Sequence, residues 1–284
     1  MIPANFQYTR AGSVDEAIGM LKQHGDEAKL LAGGHSLLPA MKLRLNQPGV
    51  LIDIGRIPEL RYIRREGGHV SIGAGATHDD VATSDAFGGG LEMFTQAAEL
   101  IGDKQVRNKG TIGGSLAHAD PAADWPAVVI ASNATLVVKG PNGERQISAA
   151  DFFTGFYETA LAEDEILTEI RVPVPAAGTK SAYAKFMQPA SRFAIVGCAA
   201  MITSSGGTCS NASIALTGVA DAAYKASNIE EALKGKSLDS DTIKSATADA
   251  VVDGAMVMED HFASEEYRTH LASVYASRAI RAAV

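Results

Sequence analysis

Apolar positions along the chain recur with two periods, and the switches between them outline the elements. After an extended Phe6-Gln7-Tyr8-Thr9, the residues Val14, Ala17, Ile18 and Leu21 share one face of a helix, with Ser13 and Glu16 as a capping box and His24-Gly25 as its end. Ala28-Lys29-Leu30-Leu31-Ala32 reads as a short buried strand that runs into Gly33-Gly34, followed by a helical stretch over 36–45. Residues 50–54 and 69–74 have strand character. Leu91, Phe94, Ala97, Ala98 and Ile101 sit at helical spacing, closed by Gly102. Thr111-Ile112-Gly113-Gly114-Ser115 is a second glycine-rich turn, 134–139 with Pro141-Asn142-Gly143 predicts a hairpin, and 166–172 another strand.

Val172-Pro173-Val174-Pro175-Ala176-Ala177-Gly178 carries two prolines and a terminal glycine without helix or strand chemistry, which marks a domain boundary with a new unit starting near Thr179. That unit opens with strands at 182–187 and 195–202, turns at Gly206-Gly207 and pairs again through 213–219. Helices follow at 229–233, 242–252 and 265–282. Strands followed by helices imply an α+β class. No internal repeat of solenoid length and no low-complexity tract occurs.

Composition narrows the function. With 284 residues the chain suits one large domain or two to three smaller ones. Hydrophobic residues at 46% and charged residues at 20% are ordinary for a globular protein. The balance of 25 basic against 33 acidic residues, net -8, disfavours a nucleic-acid or anionic-membrane surface. Met1-Ile2-Pro3-Ala4-Asn5-Phe6 lacks a signal pattern and no apolar run is long enough to span a bilayer, so a cytoplasmic protein is expected. Cys198 and Cys209 are too few for a disulfide framework or a four-thiolate iron-sulfur cluster, and read as small buried hydrophobes. The histidines show no metal-ligand spacing, so no metal is assigned; His35 and His118 each lie beside a glycine turn.

The two glycine turns carry the candidate chemistry. Ala32-Gly33-Gly34-His35-Ser36 and Thr111-Ile112-Gly113-Gly114-Ser115 each remove Cβ bulk, expose consecutive main-chain N–H donors and place a hydroxyl beside them. The first leads into a helix, whose N-terminus favours an anion without any lysine. Two such turns fit one diphosphate. Competing motifs fail: Gly73-Ala74-Gly75 is followed by His78 where a dinucleotide fingerprint needs its third glycine, and Gly235-Lys236-Ser237 has Glu230 where a phosphate loop needs its leading glycine. Gly34-His35-Ser36-Leu37-Leu38 ends in Leu38 where a serine-hydrolase elbow requires glycine.

Residues 32–39 and 102–115, together with Asp120-Pro121-Ala122-Ala123-Asp124 and the segment from Glu165-Ile166-Leu167 to Arg171-Val172-Pro173, resemble the medium, FAD-binding subunit of the xanthine dehydrogenase family, and most of all aerobic carbon monoxide dehydrogenases. The resemblance covers nearly the whole chain. It implies an α+β protein with a vanillyl-alcohol-oxidase-type (PCMH-like) FAD-binding domain in two subdomains, 1–57 and 58–175, and a C-terminal domain at 179–284 made of a small antiparallel sheet with helices. It implies FAD on this chain, a small partner subunit with two [2Fe-2S] clusters, a large partner with the molybdenum-pterin cofactor, and an assembly as a dimer of heterotrimers. Any membrane association would run only through the electron acceptor.

Carried over residue by residue, Ala32, Gly33, Gly34, His35 and Ser36 with Thr111, Ile112, Gly113, Gly114 and Ser115 would hold the FAD diphosphate, and Leu31 and Leu37 would belong to the cofactor-binding residues. Asp124 would accept hydrogen bonds from flavin-side hydroxyls, Ile101 and Leu167 would pack on the cofactor, and Lys185 would approach the flavin edge and favour its reduced, anionic form. Phe193 matches the position of an aromatic on the isoalloxazine face. Ser115 departs from an Asn common in the family and shortens that side chain's reach. The implied function is electron relay: oxidation of substrate on the large subunit, single electrons through iron-sulfur centres, and collection on FAD for an external acceptor, with no nucleophile or acid/base pair on this chain. Two other readings stay open, a freestanding flavin oxidoreductase on the same fold, and a non-catalytic assembly module whose glycine turns are structural.

Overall fold

The computed structural model describes residues 1–284. The chain opens with β1 (Gln7–Arg10), α1 (Val14–His24), β2 (Ala28–Leu31), α2 (Leu37–Lys42) and β3 (Val50–Asp53), and both β1 and β2 run parallel to the central β3. The expected cap on α1 forms: the Ser13 hydroxyl accepts from Glu16 N at 3.1 Å, while the Glu16 carboxylate reaches one residue further upstream to Gly12 N at 2.6 Å. Val14, Ala17, Ile18 and Leu21 bury their shared face against Val50 and Ile52. Helix α2 is shorter than expected. Arg44 takes φ 60, Leu45 N donates to Ala40 O at 2.9 Å and Arg44 N to Met41 O at 3.0 Å, a left-handed cap that stops the helix although Leu43 and Leu45 continue the apolar pattern.

The second layer holds β4 (Ile63–Glu66), β5 (His69–Gly73), α3 (His78–Ala82), α4 (Met93–Leu100), α5 (Lys104–Arg107), α6 (Ile112–His118), α7 (Trp125–Ala131), the hairpin β6 (Thr135–Gly140) and β7 (Gly143–Ser148), α8 (Ala149–Phe152), the small hairpin β8 (Phe153–Gly155) and β9 (Glu158–Thr159), and β10 (Ile166–Pro173). Its antiparallel sheet has the order β4-β5-β10-β6-β7, so the late strand β10 inserts between β5 and β6. Val70, Ile72, Leu136, Val138 and Ile170 from one face of this sheet meet Phe87, Phe94 and Trp125 from the helices in a single core; Phe87 and Phe94 stack with centroids 5.0 Å apart. Thr111-Ile112-Gly113-Gly114-Ser115, expected as a turn, instead enters the first turn of α6, with the Thr111 hydroxyl accepting from Gly114 N at 3.1 Å. Helix α7 has no amphipathic signature, because every residue in it is buried and its Pro126 sits in the first turn, where no N–H is missed.

Strand β11 (Thr179–Met187) follows β10 after a five-residue connection read off its bounds, and pairs with β12 (Ala194–Ser205), β13 (Thr208–Thr217) and β14 (Tyr224–Lys225) in an antiparallel sheet. Helices α9 (Ser227–Leu233), α10 (Ser240–Ala246) and α11 (Glu265–Ala282) complete the chain. Strand β12 is buried without interruption from Ala194 to Ile202 because its sheet is covered on both sides. Tyr183, Ala199, Met201 and Ala215 face the core that contains Trp125, whereas Val196, Cys198, Ala200 and Ile214 face Leu271, Tyr275 and Ala279 of α11. Both cysteines lie in that second core, unpaired and buried. Helix α10 ends at Ala246, earlier than the expected 252, with Thr247 as its C-cap and the Thr247 hydroxyl on Ile243 O at 2.9 Å.

Main-chain hydrogen bonds stitch the last sheet to the segment 121–123. Ala194 N donates to Ala122 O at 3.0 Å, Gly218 N to Pro121 O at 2.8 Å, and the Thr217 hydroxyl to Pro121 O and Ala123 O at 2.9 and 2.7 Å. Arg268 of α11 fastens the same strand ends from behind: its Nη1 donates to Ile195 O and Gly218 O at 2.6 and 2.7 Å, and its Nη2 to Asp260 Oδ2 at 2.6 Å. Arg268→Met therefore takes this donor from two carbonyls and the cation from Asp260, which keeps only Phe262 N and Ala263 N, and a loss of about 3 kcal/mol in unfolding free energy is expected. A urea midpoint equal to that of the unaltered chain would contradict this.

Candidate functional site

A cleft of about 810 Å³ runs between the first and second layers and reaches the β11–β12 turn. That size lies within the range of small-molecule and cofactor sites. Its floor is built by the bend that links β2 to α2. Within this bend, no N–H group from Ala32 to Leu37 has an acceptor in the chain; the first helical bond begins only with Leu38 N on Gly34 O at 3.0 Å. Gly34 makes the bend possible with φ 72, a region closed to most side chains. The result is a concave run of main-chain donors that faces the cleft, suited to an anion with several oxygens.

The opposite lip is the entry to α6, and here the donors differ from expectation. Ile112 N is bonded to Ala76 O at 3.0 Å, Gly113 N to Ala74 O at 2.9 Å and Ser115 N to Thr111 O at 3.1 Å, and Gly114 N serves the cap. Only the Thr111 N–H has no acceptor in this stretch. The glycines here serve close approach instead: a Cβ on Gly113 would stand 2.8 Å from Ala74 Cα, and one on Gly33 would stand 2.8 Å from Gly110 Cα and inside the envelope of the Lys109 carbonyl oxygen. A Cβ on Gly114 would reach within 3.8 Å of the Ala32 Cβ. The two motifs thus press backbone against backbone.

Three histidines line the cleft. His78 is held by Trp125, whose indole Nε1 donates to His78 Nδ1 at 3.1 Å; because indole only donates, Nδ1 must be unprotonated and the neutral ring carries its hydrogen on Nε2, beside Gly110. Burial, reinforced by nearby His35 and Arg107, holds its pKa down at about 4, so the ring is neutral at physiological pH. His35 Nδ1 bonds to Gly33 O at 3.0 Å, which braces the bend. His118 tilts against Tyr157 with centroids 5.1 Å apart, and burial lowers its pKa.

The far wall carries a buried charged cluster. Asp124 Oδ2 accepts from Lys185 Nζ at 2.8 Å and its Oδ1 from the Tyr183 hydroxyl at 2.5 Å, while Lys185 Nζ also reaches Leu100 O at 3.3 Å. The lysine side chain is fully enclosed. Burial pushes the Asp124 carboxyl up, and Lys185 and Tyr183 oppose that shift. The pair crosses from α7 to the last sheet, so it locks the wall in place.

The expected site residues divide as follows. Leu31, Ala32, Gly33, Gly34, His35, Ser36, Leu37, Ile101, Thr111, Gly113, Gly114, Ser115, Asp124, Leu167 and Phe193 all line this one cleft. Ile112 does not: its side chain is fully buried in the central core, pointed there by the helical turn that a simple loop would lack. Lys185 stands behind Asp124, with its charge spent on that carboxylate. Residues that the sequence alone leaves unmarked also line it: His78, Tyr157 and Arg192. The signal for His78 was present only as a mismatch to a nucleotide fingerprint, and for Tyr157 and Arg192 only in their turn positions, where both take positive φ, 58 and 62.

A family profile described as "FAD binding domain in molybdopterin dehydrogenase" matches residues 4–175, and one described as "CO dehydrogenase flavoprotein C-terminal domain" matches residues 181–283. The chain is 46% identical to the carbon monoxide dehydrogenase medium chain of Hydrogenophaga pseudoflava, over 100% of this chain and 98% of that one. It is 36% identical to the glyceraldehyde dehydrogenase medium chain of Sulfolobus acidocaldarius, over 99% of each. A solved structure of the Hydrogenophaga pseudoflava carbon monoxide dehydrogenase that lacks the Mo-pyranopterin moiety of the molybdenum cofactor superposes with a TM-score of 0.95 at 48% identity, covering 100% of this chain and 98% of that chain.

Two outcomes follow from the wall and the floor. Lys185→Met strands a buried carboxylate and is expected to cost about 3–5 kcal/mol, part of which Asp124→Asn in the same chain restores; additive losses in a double-mutant cycle would refute the pairing. His78 has a folded pKa of about 4 against an ordinary 6.5, so the unfolded chain takes up the extra proton first. Its contribution, about 3 kcal/mol, is whole above pH 6.5 and disappears as pH falls from there to about 4. His78→Gln is expected to flatten the acid limb of the stability profile in that window.

Proposed function

The chain belongs to the FAD-binding medium subunits of the molybdenum hydroxylases, a family of oxidoreductases, and from that membership we propose that it works as the electron-relay flavoprotein of such a complex. The observation that carries this reading is the run of unpartnered N–H groups from Ala32 to Leu37, set opposite the Thr111 N–H in a cleft of cofactor size. A diphosphate is an anion with enough oxygens to occupy such a run, and the absence of a lysine or arginine within it suits recognition by main-chain dipoles. The residues present therefore fit FAD.

On this reading Ala32, Gly33, Gly34, His35 and Ser36 hold the diphosphate, with Thr111 as the donor from the second motif. Gly113 and Gly114 bring that motif close, and the Ser115 hydroxyl faces the same space. Leu31, Leu37, Ile101 and Leu167 exclude water from the apolar parts of the cofactor, Phe193 offers an aromatic surface to the isoalloxazine, and Asp124 keeps free lone pairs for hydroxyls on the flavin side. Bound FAD supplies the exchange between single-electron donors and a two-electron acceptor, chemistry that belongs to the cofactor. The protein's share is to seat it, exclude water and set the charge around it.

The donors would be [2Fe-2S] clusters of a small partner subunit, fed by a molybdenum-pterin centre on a large one, in a cytoplasmic dimer of heterotrimers. Residues 1–57 and 58–175 would form the two FAD-binding subdomains and 179–284 the C-terminal domain. Medium chains of a carbon monoxide and of a glyceraldehyde dehydrogenase both resemble this one, so the substrate is a property of the large partner.

Gly33→Val tests the seat. The branched side chain must displace the Lys109–Gly110 backbone, so FAD content is expected to fall by more than tenfold while the far-ultraviolet circular dichroism stays native. Full flavin absorbance in the purified variant would remove the bend from the cofactor site.

A further inference from the structure

We infer that Arg192 is the residue that sets the charge at the ring end of the flavin, stabilising the negative charge the ring acquires on reduction; the inference rests on the FAD reading above. Arg192 sits at the end of the β11–β12 turn and lines the cleft beside Phe193, a residue 42% exposed. Its Nε is buried without a partner, as is the Nε of Arg268, but Arg192 is half-buried and lines the cleft, so its donor is open to a ligand there. The backbone at Arg192 is also held at φ 62, fixed by Arg192 N on Gln188 O at 2.8 Å and Gln188 N on Phe193 O at 2.9 Å. An unfavourable conformation maintained around a polar side chain points to a role for that side chain.

Two of the carboxylates that line the cleft are already paired with other cations: Asp124 with Lys185 at 2.8 Å and Glu165 with Arg145 at 2.7 Å, while Asp120 and Glu163 line it without a cation partner. Lys185, the cation that the family resemblance would place at the flavin edge, is neutralised by its carboxylate and enclosed. Arg192 immediately precedes Phe193, the aromatic that the FAD reading sets against the isoalloxazine, and its turn is tied to the Asp124 wall where Ala194 N donates to Ala122 O at 3.0 Å. On that reading the arginine addresses the ring end of the ligand.

Two electrons and one proton, the proton at N5, leave the flavin ring with one negative charge over its N1 and C2 oxygen edge. A guanidinium at that edge favours this form over the neutral one that would need a second proton. Sulfite offers the same charge without electron transfer, because its addition at N5 places a negative charge on the same edge.

The test uses the full-length chain with its FAD, in its assembled complex, as the unaltered protein, Arg192→Met and Arg192→Lys. Each is titrated with sulfite, and separately reduced with dithionite against a reference dye. Arg192→Met is expected to bind sulfite at least tenfold more weakly and to lower the two-electron potential by about 30 mV, the equivalent of a tenfold change. Arg192→Lys should recover most of both, with flavin content and unfolding midpoint alike in all three. Unchanged sulfite affinity and potential in Arg192→Met overturn the assignment, as does loss of flavin from that variant with normal values in the flavin that remains. A colourless unaltered complex instead defeats the FAD reading, and this assignment with it.

Discussion

The structure turns on keeping a stretch of backbone unsatisfied. Between β2 and α2 the N–H groups from Ala32 to Leu37 form no bond within the chain, so the shape of the bend is set by packing against the second motif and not by bonds of its own. The imposing contact is Gly33 against the Lys109–Gly110 backbone, with Gly113 against Ala74 one layer deeper. Neither contact admits a Cβ. A side chain at either position would push the layers apart, and the donors would then be free to close on their own carbonyls as an ordinary helix start.

The second constraint is the wall that fixes the width of the cleft. The ion pair of Asp124 and Lys185 is enclosed and crosses between α7 and β11, so its geometry is shared by two units of the fold. Burying both charges gains little net stability, but once buried neither tolerates the loss of the other. That property suits a wall, because the alternatives to the native spacing are penalised more than the native spacing is rewarded. Thr217, Ala194 and Gly218 hold the adjoining residues 121–123 by their carbonyls and N–H groups, and the side-chain lock is thereby seated on a rigid main-chain frame.

Elements with a one-sided environment were legible in the sequence. Helix α1 announced itself through Ser13, Glu16 and four apolar positions on one face, and the β6–β7 hairpin through Asn142-Gly143. Elements buried on all sides were not, since α7 offers no period when each of its residues is covered. The glycine motifs were found because composition alone marks them, yet the sequence could not tell donors that face a ligand from donors already bonded within the chain. That difference separates the first motif from the second. Ile112 and Lys185 went elsewhere for a related reason: the direction of a side chain on a helix or strand is set by neighbours far away in the chain, here a core of Trp125 and Phe94 and a carboxylate 61 residues upstream.

A division of electrostatic labour follows from these placements. The first bend contains no lysine or arginine, and His78 beside it is held neutral by burial with its tautomer fixed by Trp125, so this end of the cleft offers an anion main-chain dipoles. Dipoles bind a permanent charge without altering the balance between redox states of a ring some distance away. A full charge does alter it, and its influence is strongest where water is excluded. On the proposed reading, a guanidinium on the β11–β12 turn, past the neutralised Lys185, would let affinity for the cofactor and its redox poise be set by separate parts of the chain.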